Sequence, residues 1–174
     1  IHKIQRMEAP EAEELEAVLT KVEAYESAFQ TGNATLDIIL TEKKMLCQQE
    51  EISFSCMADG VALECMNELD LASLFGNSLD NAIEQERKEA VEKRYIFLKV
   101  QRNGMFVSIR IENYCEIFPE ISADGLPVAS SKKDAVFHGY GTKSMQYVVE
   151  KYGGNFRISR EGKLFVVSML FPMS

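Results

Sequence analysis

The sequence predicts an α+β protein: a two-layer α/β sandwich in which helices cover one face of a mixed, mostly antiparallel sheet. Residues 94–102 and 105–113 alternate between apolar and polar side chains, which is typical of strands with one buried face. Asn103-Gly104 lies between them, and this dipeptide is a strong signal for a tight hairpin. A second pair of alternating strands, 155–160 and 163–171, turns at a Glu-Gly pair. The sheet is therefore expected to consist largely of hairpins.

Helical spacing predicts the second layer. In residues 70–90 the apolar side chains fall on one arc of a helix, and after Gly141 they recur three and four residues apart. Gly153-Gly154 is a typical stop for that last helix. The other expected elements are a helix from Asn33 or Thr35 to about Gln49, a strand over 51–56 and an irregular stretch over 57–69.

The composition excludes several classes of protein. The chain has 174 residues, of which 46% are hydrophobic and 26% charged, as in one soluble domain with an appendage. A net charge of −8, with no concentrated basic stretch, argues against nucleic-acid binding. No apolar run is long enough to span a membrane. The four cysteines show no CxxC spacing and there are only two histidines, so we expect buried free thiols rather than a zinc site.

Residues 1–30 are expected to form a helical appendage to the domain in 31–174. A charged helix starts near Pro10, and its apolar residues leave the three- and four-residue gaps of a helical bundle or coiled-coil seam. We expect a second copy of the chain to cover this stripe, which makes 1–30 the truncated end of a dimerisation hairpin. The alternative is a helix packed against its own domain.

The most informative stretch begins at His138 and reads His-Gly-Tyr-Gly-Thr-Lys-Ser. Gly139 and Gly141 are expected to form a turn that opens directly into the last helix. A helix N-terminus presents unpaired N–H groups and the positive end of the helix dipole, and glycines let phosphate oxygens approach the backbone. Thr142 and Lys143 would lie in the first helical turn. The helix dipole disfavours a cation there, so a lysine at this position indicates a bound phosphate as its partner. The alternative is a plain connection.

Two asparagines lie one turn apart on the helix predicted for 70–90. At about 100° per residue, Asn77 and Asn81 share one face, and the apolar residues fill the opposite arc. Because asparagine is a poor helix former, the pair either belongs to a solvated polar face or has a function. Amide oxygens can ligate Mg²⁺, whose other ligands are often waters and substrate phosphates. The glycine turn could hold those phosphates.

These motifs resemble those of a known superfamily. Asn77-x-x-Asp80-Asn81-Ala82 resembles the N box of the GHKL ATPases, and Gly139-x-Gly141-Thr142-Lys143-Ser144 resembles their second glycine box. The chain is most similar to the sensor histidine kinases of the accessory-gene-regulator quorum-sensor branch. The segments that carry this similarity are Thr31-Gly32-Asn33, Gly125-Leu126-Pro127 and Ser131-Lys132-Lys133-Asp134.

The resemblance implies a Bergerat ATP-binding fold with ATP and Mg²⁺ as cofactors. It implies that Asn77 and Asn81 bind the metal and the nucleotide. It also implies that residues in and next to the second glycine box bind the nucleotide: His138, Gly139, Gly141, Thr142 and Lys143.

Three positions differ from patterns in the superfamily. Thr142 replaces the second leucine of the second box, which usually reads Gly-Leu-Gly-Leu; the other two are Asn113 and Asn77. Asn113 stands where the first glycine box, usually Asp-x-Gly-x-Gly, carries the aspartate that accepts from the adenine amino group. An amide oxygen can also accept this hydrogen bond, although the glycines are missing. At Asn77 the hydrolytic relatives carry a glutamate that activates water. An amide cannot act as a general base, which favours phosphotransfer to a histidine over hydrolysis.

The implied function is that of the catalytic domain of a bacterial two-component sensor histidine kinase, a transferase that moves the γ-phosphate of ATP to a histidine. The expected partners are a second copy of the full-length protein and the receiver domain of a response regulator. The expected location is the cytoplasmic side of a membrane-bound receptor whose membrane segment lies upstream. The alternatives are a non-catalytic nucleotide-binding or scaffold module and a GHKL ATP hydrolase.

The phosphoacceptor histidine is expected upstream of Ile1. Acceptors in the family are followed by Asp or Glu, whereas Lys3 follows His2, so no catalytic residue is expected in the chain itself. Residues 114–140 lack a clear period and resemble the lid that covers the phosphates in the family.

Overall fold

The computed structural model describes residues 29–128 and 132–173, and for 132–140 it describes the backbone alone. The helix expected near Pro10, and with it the dimerisation hairpin, lies outside the described residues. The described helices and strands, in chain order, are α1 Ala34–Gln49, β1 Ser53–Ala58, α2 Glu68–Glu86, β2 Tyr95–Asn103, β3 Phe106–Tyr114, α3 Lys132–Lys151, β4 Asn155–Glu161 and β5 Leu164–Pro172. Short 3-10 turns lie at Val61–Leu63 and Val91–Lys93.

The five strands form one mixed sheet in the order β1-β2-β3-β5-β4. β1 and β2 are parallel, and the other neighbouring pairs are antiparallel. One row of paired positions crosses all five strands: Cys56, Leu98, Ile111, Val167 and Ile158. Because side chains alternate along a strand, this row marks the face of the sheet on which the helices pack.

Helix α2 is the centre of the helical layer. It packs between α1 and α3 and lies over β2 and β3. The apolar arc predicted from the sequence is buried: Leu71, Phe75, Leu79, Ala82 and Ile83. Burial of each large side chain stabilises the fold by about 1.5–3 kcal/mol. This burial fixes the rotation of α2 and leaves its other face for Asn77 and Asn81.

Side-chain caps fix the starts of α1 and α2. Asn33 Oδ1 accepts a hydrogen bond from the backbone N–H of Leu36 at 3.0 Å, so Asn33 is the cap of the two that the sequence offered. Asn67 Oδ1 accepts from the N–H of Asp70 at 2.8 Å. Each bond satisfies one of the N–H groups that a helix leaves unpaired at its start.

The predicted α+β class, the mixed sheet and both hairpins are confirmed. Gly104 has a φ of 62° between β2 and β3, in the left-handed region that the Asn-Gly turn requires. The predicted helix over 70–90 is shorter in the structure and ends at Glu86. The predicted strand over 51–56 is displaced by two residues, to Ser53–Ala58.

The predicted start of the last helix at Gly141 is wrong. Helix α3 begins at Lys132 and runs through Gly139 and Gly141. Glycine costs about 1 kcal/mol relative to alanine inside a helix, so the local sequence favours a break. Gly141 lies beside the asparagines of α2, and a Cβ there would lie 3.5 Å from Asn81 Oδ1. The helix continues through both glycines despite the local preference. Among the described residues of the predicted 114–140 lid, 115–128 belong to no helix or strand.

All four cysteines are free thiols. Cys47 and Cys115 are buried, as expected, whereas Cys56 and Cys65 are half-buried. Burial raises the pKa of Cys47 to about 11 and that of Cys56 to about 12, so both remain protonated thiols at neutral pH. Within residues 29–128 and 132–173, no helix is long and apolar enough to cross a membrane.

Candidate functional site

A cavity of about 420 Å³ lies between α2, α3 and the inner face of the sheet. The irregular segment 115–128 forms its outer border through Ile117, Phe118 and Pro127. This volume is in the range of small-molecule sites. The helices contribute Ser78, Asn81, Ala82, Gln85, Thr142 and Met145 to its lining, and the strands contribute Ile111, Asn113, Ile158, Phe165 and Val167.

Most of the cavity wall is apolar. Phe118 packs against Phe165, with ring centroids 5.4 Å apart, and Arg160 lies over the Phe118 ring at 6.0 Å. The buried polar side chains that face the cavity are few, chiefly Asn113 and Thr142. An apolar slot with a few polar groups can hold a flat ring system and select it by its polar edge.

Asn113, near the end of β3, has only 3% of its surface exposed. Its Nδ2 donates to Glu86 Oε1 at 3.2 Å and to the carbonyl oxygen of Tyr114 at 2.9 Å. Its Oδ1 takes no part in these bonds. Among the described residues, every fully buried side-chain nitrogen or oxygen has a hydrogen-bond partner. Because Oδ1 has none, it is not fully buried, and it opens to the cavity that Asn113 lines. The cavity therefore carries a hydrogen-bond acceptor at this point.

Glu86, the last residue of α2, is fully buried behind Asn113. Its Oε2 accepts from the backbone N–H of Tyr95 at 2.8 Å. Burial raises the pKa of the Glu86 carboxyl to about 7, although the hydrogen bonds from Tyr95 and Asn113 act to lower it. The sequence prediction missed Glu86, because a glutamate at a helix end is usually solvated. One signal was present: Glu86 follows Leu79 by seven residues and Ile83 by three, on the buried arc of α2.

The asparagine pair faces α3, and its two amide oxygens approach one point. A Cβ built at Gly141 would lie 3.6 Å from Asn77 Oδ1 and 3.5 Å from Asn81 Oδ1. Asn77 Nδ2 donates to the carbonyl oxygen of Ser73 at 2.7 Å, which fixes that amide and leaves its oxygen for another partner. Asn81 also lines the cavity. Gly141 therefore lies within contact range of both amide oxygens, and an added Cβ would stand at an ordinary contact distance from them.

Asp80, between the two asparagines, points to α1 instead. Lys43 Nζ lies 2.9 Å from Asp80 Oδ1. Burial acts to lower the pKa of Lys43, but the hydrogen bond and charge of Asp80 prevail and raise it. Asp80 therefore joins α1 to α2, a role that the sequence prediction did not assign, and Lys43 stays charged.

The residues predicted from the second glycine box are placed differently from one another. Thr142 is buried and lines the cavity. Lys143 is exposed in the middle of α3, so the prediction that it lies in the first helical turn is wrong. His138 and Gly139 have a helical backbone, so the helix N-terminus expected at Gly141 is not there, and the nucleotide contacts expected of these residues stay predictions. The structure brings together Asn77, Asn81 and Gly141, with Asn113 and Thr142 in the adjoining cavity.

Further contacts hold α3 beside α2. Ser73 Oγ lies 2.9 Å from Ser144 Oγ. Close by, near the start of α2, the hydroxyl of Tyr152, which follows the end of α3, donates to Asp70 Oδ2 at 2.7 Å. These bonds set the distance between Gly141 and the asparagines.

Comparison with known proteins assigns the family. A family model described as the GHKL domain matches residues 66–172. This range contains the asparagine pair, Asn113 and the cavity. The chain belongs to the GHKL family. No curated protein matches the chain by sequence.

Solved structures with the same fold include histidine kinase catalytic domains. A nucleotide-free form of the catalytic domain of histidine kinase ThkA is 17% identical, with a TM-score of 0.59 over 80% of this chain and 95% of that one. The Acinetobacter baumannii histidine kinase AdeS is 11% identical, with a TM-score of 0.54 over 99% of this chain and 88% of AdeS. The histidine kinase domain of a blue-light activated kinase from Erythrobacter litoralis is 14% identical, with a TM-score of 0.53 over 78% and 59% of the two chains. At these identities the likeness concerns the fold.

Proposed function

We propose that the chain is the ATP-binding catalytic domain of a two-component sensor histidine kinase. The observation that supports this most directly is a cavity lined by an amide oxygen, Asn113 Oδ1, beside a pair of amide oxygens on α2. An acceptor deep in an apolar slot suits the exocyclic amino group of adenine. The amide pair suits a metal that carries phosphates.

Asn113, Ile111 and Met145 would form the adenine subsite. The apolar side chains would cover the faces of the base, and Asn113 Oδ1 would accept from its amino group. This assigns to an amide the role that an aspartate has in the family pattern. Thr142 is close enough to the cavity to touch the same nucleotide.

Asn77 and Asn81 would hold Mg²⁺ together with phosphate oxygens and water. Among described residues there is no group of three or more His, Cys, Asp or Glu side chains that could hold a metal. Two neutral amide oxygens alone make a weak site, but they fit a Mg²⁺ ion whose remaining ligands belong to the substrate. Such an ion would neutralise charge on the phosphates that it bridges. The chain itself would orient them through Gly141 and the asparagine pair.

Transfer to a histidine fits this site better than hydrolysis. Hydrolysis requires a group that takes a proton from water. Asn77 has no carboxylate, and its Nδ2 is committed to the Ser73 carbonyl. The acceptor would be a histidine upstream of Ile1, presented by the dimerisation hairpin of a full-length homodimer, with a response-regulator receiver domain as the next acceptor. The full-length protein would be a membrane-bound receptor with this domain in the cytoplasm.

A phosphotransfer assay tests the proposal. The chain is incubated with Mg²⁺ and ATP labelled on the γ-phosphate, together with a separate hairpin that contains a histidine followed by Asp or Glu. We expect label on that histidine only when the chain and the hairpin are both present. The chain alone should remain unlabelled, because its own His2 has no adjacent carboxylate. Label on His2, or release of free phosphate at the same rate without the hairpin, would contradict the proposal.

One observation favours a non-catalytic nucleotide-binding module as a second candidate. Gly139 and Gly141 lie inside α3 rather than in a turn, so the backbone N–H groups there are engaged in the helix. Tight nucleotide binding without any label on the hairpin would support this second candidate.

A further inference from the structure

We propose that Glu86 determines base specificity by positioning Asn113. The inference rests on the proposed nucleotide site and adds a residue that does not touch the ligand. In this view Glu86 holds the Asn113 amide with its oxygen toward the cavity. The cavity then selects a purine with an amino group at position 6 over one with an oxo group there.

An asparagine amide can be placed in two ways that differ by exchange of its oxygen and nitrogen. One places an acceptor in the cavity and the other a donor. A cavity with an acceptor binds 6-amino purines, and a cavity with a donor binds 6-oxo purines. The choice between the two orientations therefore sets the specificity.

The surroundings of Asn113 allow one orientation. Nδ2 lies 3.2 Å from Glu86 Oε1 and 2.9 Å from the Tyr114 carbonyl oxygen. Both neighbours accept hydrogen bonds, so the flipped amide would place its oxygen against two other oxygens. An unpaired polar group in a buried position is unfavourable, and Asn113 is 3% exposed. The oxygen is thus directed to the cavity.

Glu86 is the side chain that enforces this choice. It is fully buried and does not line the cavity, so it acts only through Asn113. Its Oε2 is held by the Tyr95 N–H at 2.8 Å, which leaves Oε1 facing Asn113. Above its pKa of about 7, Glu86 is a carboxylate that presents acceptors at both positions, so the binding test is made above that pH.

An isosteric substitution of Glu86 replaces the acceptor that faces Asn113 with a donor. In Glu86→Gln the new amide oxygen would keep the Tyr95 N–H, and the new NH₂ group would face the NH₂ group of Asn113. Two donors then oppose each other. Asn113 either flips, and loses its bond to the Tyr114 carbonyl, or stays and loses its bond to residue 86. In both cases the preference for an amino group is weakened.

The test compares ATP with inosine triphosphate, because these nucleotides differ only at the edge of the base that would face Asn113: position 6 is amino or oxo, and N1 carries a proton in the oxo form. We expect the parent chain to bind ATP more tightly. In Glu86→Gln the ratio of the two Kd values should fall at least tenfold. Glu92→Gln is the matched control: it removes the same charge from an exposed side chain and should leave the ratio within twofold.

A double substitution keeps the inference testable where Glu86→Gln alone disturbs folding. Asn113→Asp places a carboxylate against Glu86, and we expect weak ATP binding because like charges oppose each other. In Asn113→Asp with Glu86→Gln, the introduced amide can donate to the introduced carboxylate, whose second oxygen faces the cavity. ATP affinity should be at least fivefold higher in the double variant than in Asn113→Asp. The lost bond to the Tyr114 carbonyl is common to both and cancels.

The outcomes separate the two proposals. A parent chain that binds neither nucleotide overturns the proposed function and this inference together. A parent that prefers ATP, with an unchanged ratio in a folded Glu86→Gln variant, overturns the inference alone. A double variant no better than Asn113→Asp also overturns it, since the exchange of acid and amide would then have no effect.

Discussion

The two halves of the candidate site are built in different ways. The proposed adenine subsite around Asn113 and Glu86 is formed by β3 and the end of α2, and its hydrogen bonds are buried or partly buried. The proposed metal and phosphate subsite, made of Asn77, Asn81 and Gly141, depends on the approach of α3 to α2. The first is set by the sheet before any ligand binds, whereas the second awaits ligands that Mg²⁺ and phosphates would supply. On this proposal, base selection would be a property of the folded domain, and phosphate binding would be a property of its complex with Mg²⁺ and nucleotide.

The largest expected effect is a pH dependence of stability due to Glu86. Its pKa is raised from 4.5 to about 7 by burial, so between these values the folded state holds a proton that the unfolded state has lost. The free energy of unfolding should then fall as the pH rises through this window, by about 1.4 kcal/mol per unit and at most about 3 kcal/mol in total. Urea unfolding of the parent and of Glu86→Gln at several pH values measures it.

The same experiment has an internal control. Glu116 has its pKa lowered to about 2 by hydrogen bonds from Lys163, Tyr114 and Lys93. Its contribution to stability is lost as the pH falls below about 4.5 and does not enter the higher window. Parallel pH profiles for the parent and Glu86→Gln between 4.5 and 7 would show that Glu86 is not protonated on folding, and would contradict this prediction.

The second effect concerns Asn113 itself. Asn113→Ala removes the acceptor in the cavity and leaves Glu86 without its side-chain donor. We expect ATP binding to weaken by about 1–3 kcal/mol, the usual cost of an unmade buried hydrogen bond. The loss should be the same with and without Mg²⁺, because the metal subsite is intact. A loss confined to the Mg²⁺ titration would show that the two subsites are not separate.

The third effect concerns the metal subsite, with the adenine subsite left intact. Asn81→Ala removes one of the two amide oxygens beside Gly141, so ATP affinity should no longer respond to Mg²⁺, while the preference for ATP over GTP is kept. We expect a loss of about tenfold, or about 1.4 kcal/mol, at saturating Mg²⁺. Binding of ATP by this variant that still strengthens on addition of Mg²⁺ would remove Asn81 from the metal site.

The smallest effect is one of mobility. Residues 115–128 border the cavity without regular secondary structure, apart from one bridge between Ile121 and Pro127. Hydrogen exchange in this segment should be fast in the free chain and slower with Mg-ATP, whereas β3 should be protected in both states. High protection of 115–128 before nucleotide is added would contradict the view of this segment as a lid.

The elements that the sequence predicted well are those determined by local patterns. The Asn103-Gly104 hairpin and the Asn33 cap depend on a few neighbouring residues. The buried arc of α2 follows from its own helical spacing, which also placed Asn77 and Asn81 on one face. Assignment to the accessory-gene-regulator branch remains a prediction, because the matching family model describes the GHKL domain as a whole.

The features that the sequence did not predict depend on distant contacts. Gly139 and Gly141 indicate a turn locally, but α3 continues through them and brings Gly141 beside the asparagines of α2. The burial of Glu86 follows from its contacts with Tyr95 and Asn113, which are 9 and 27 residues away along the chain. No helical or strand period contains such information.

The most direct test of the proposed adenine and magnesium subsites is a calorimetric titration of the parent chain with ATP and with GTP, each with and without Mg²⁺. We expect saturable ATP binding in the micromolar to millimolar range. Mg²⁺ should strengthen it, and it should be tighter than GTP binding. The ATP signal should weaken in Asn113→Ala under both conditions. Equal binding of ATP and GTP by the parent chain, or no binding of either with Mg²⁺ present, would contradict the proposed nucleotide site.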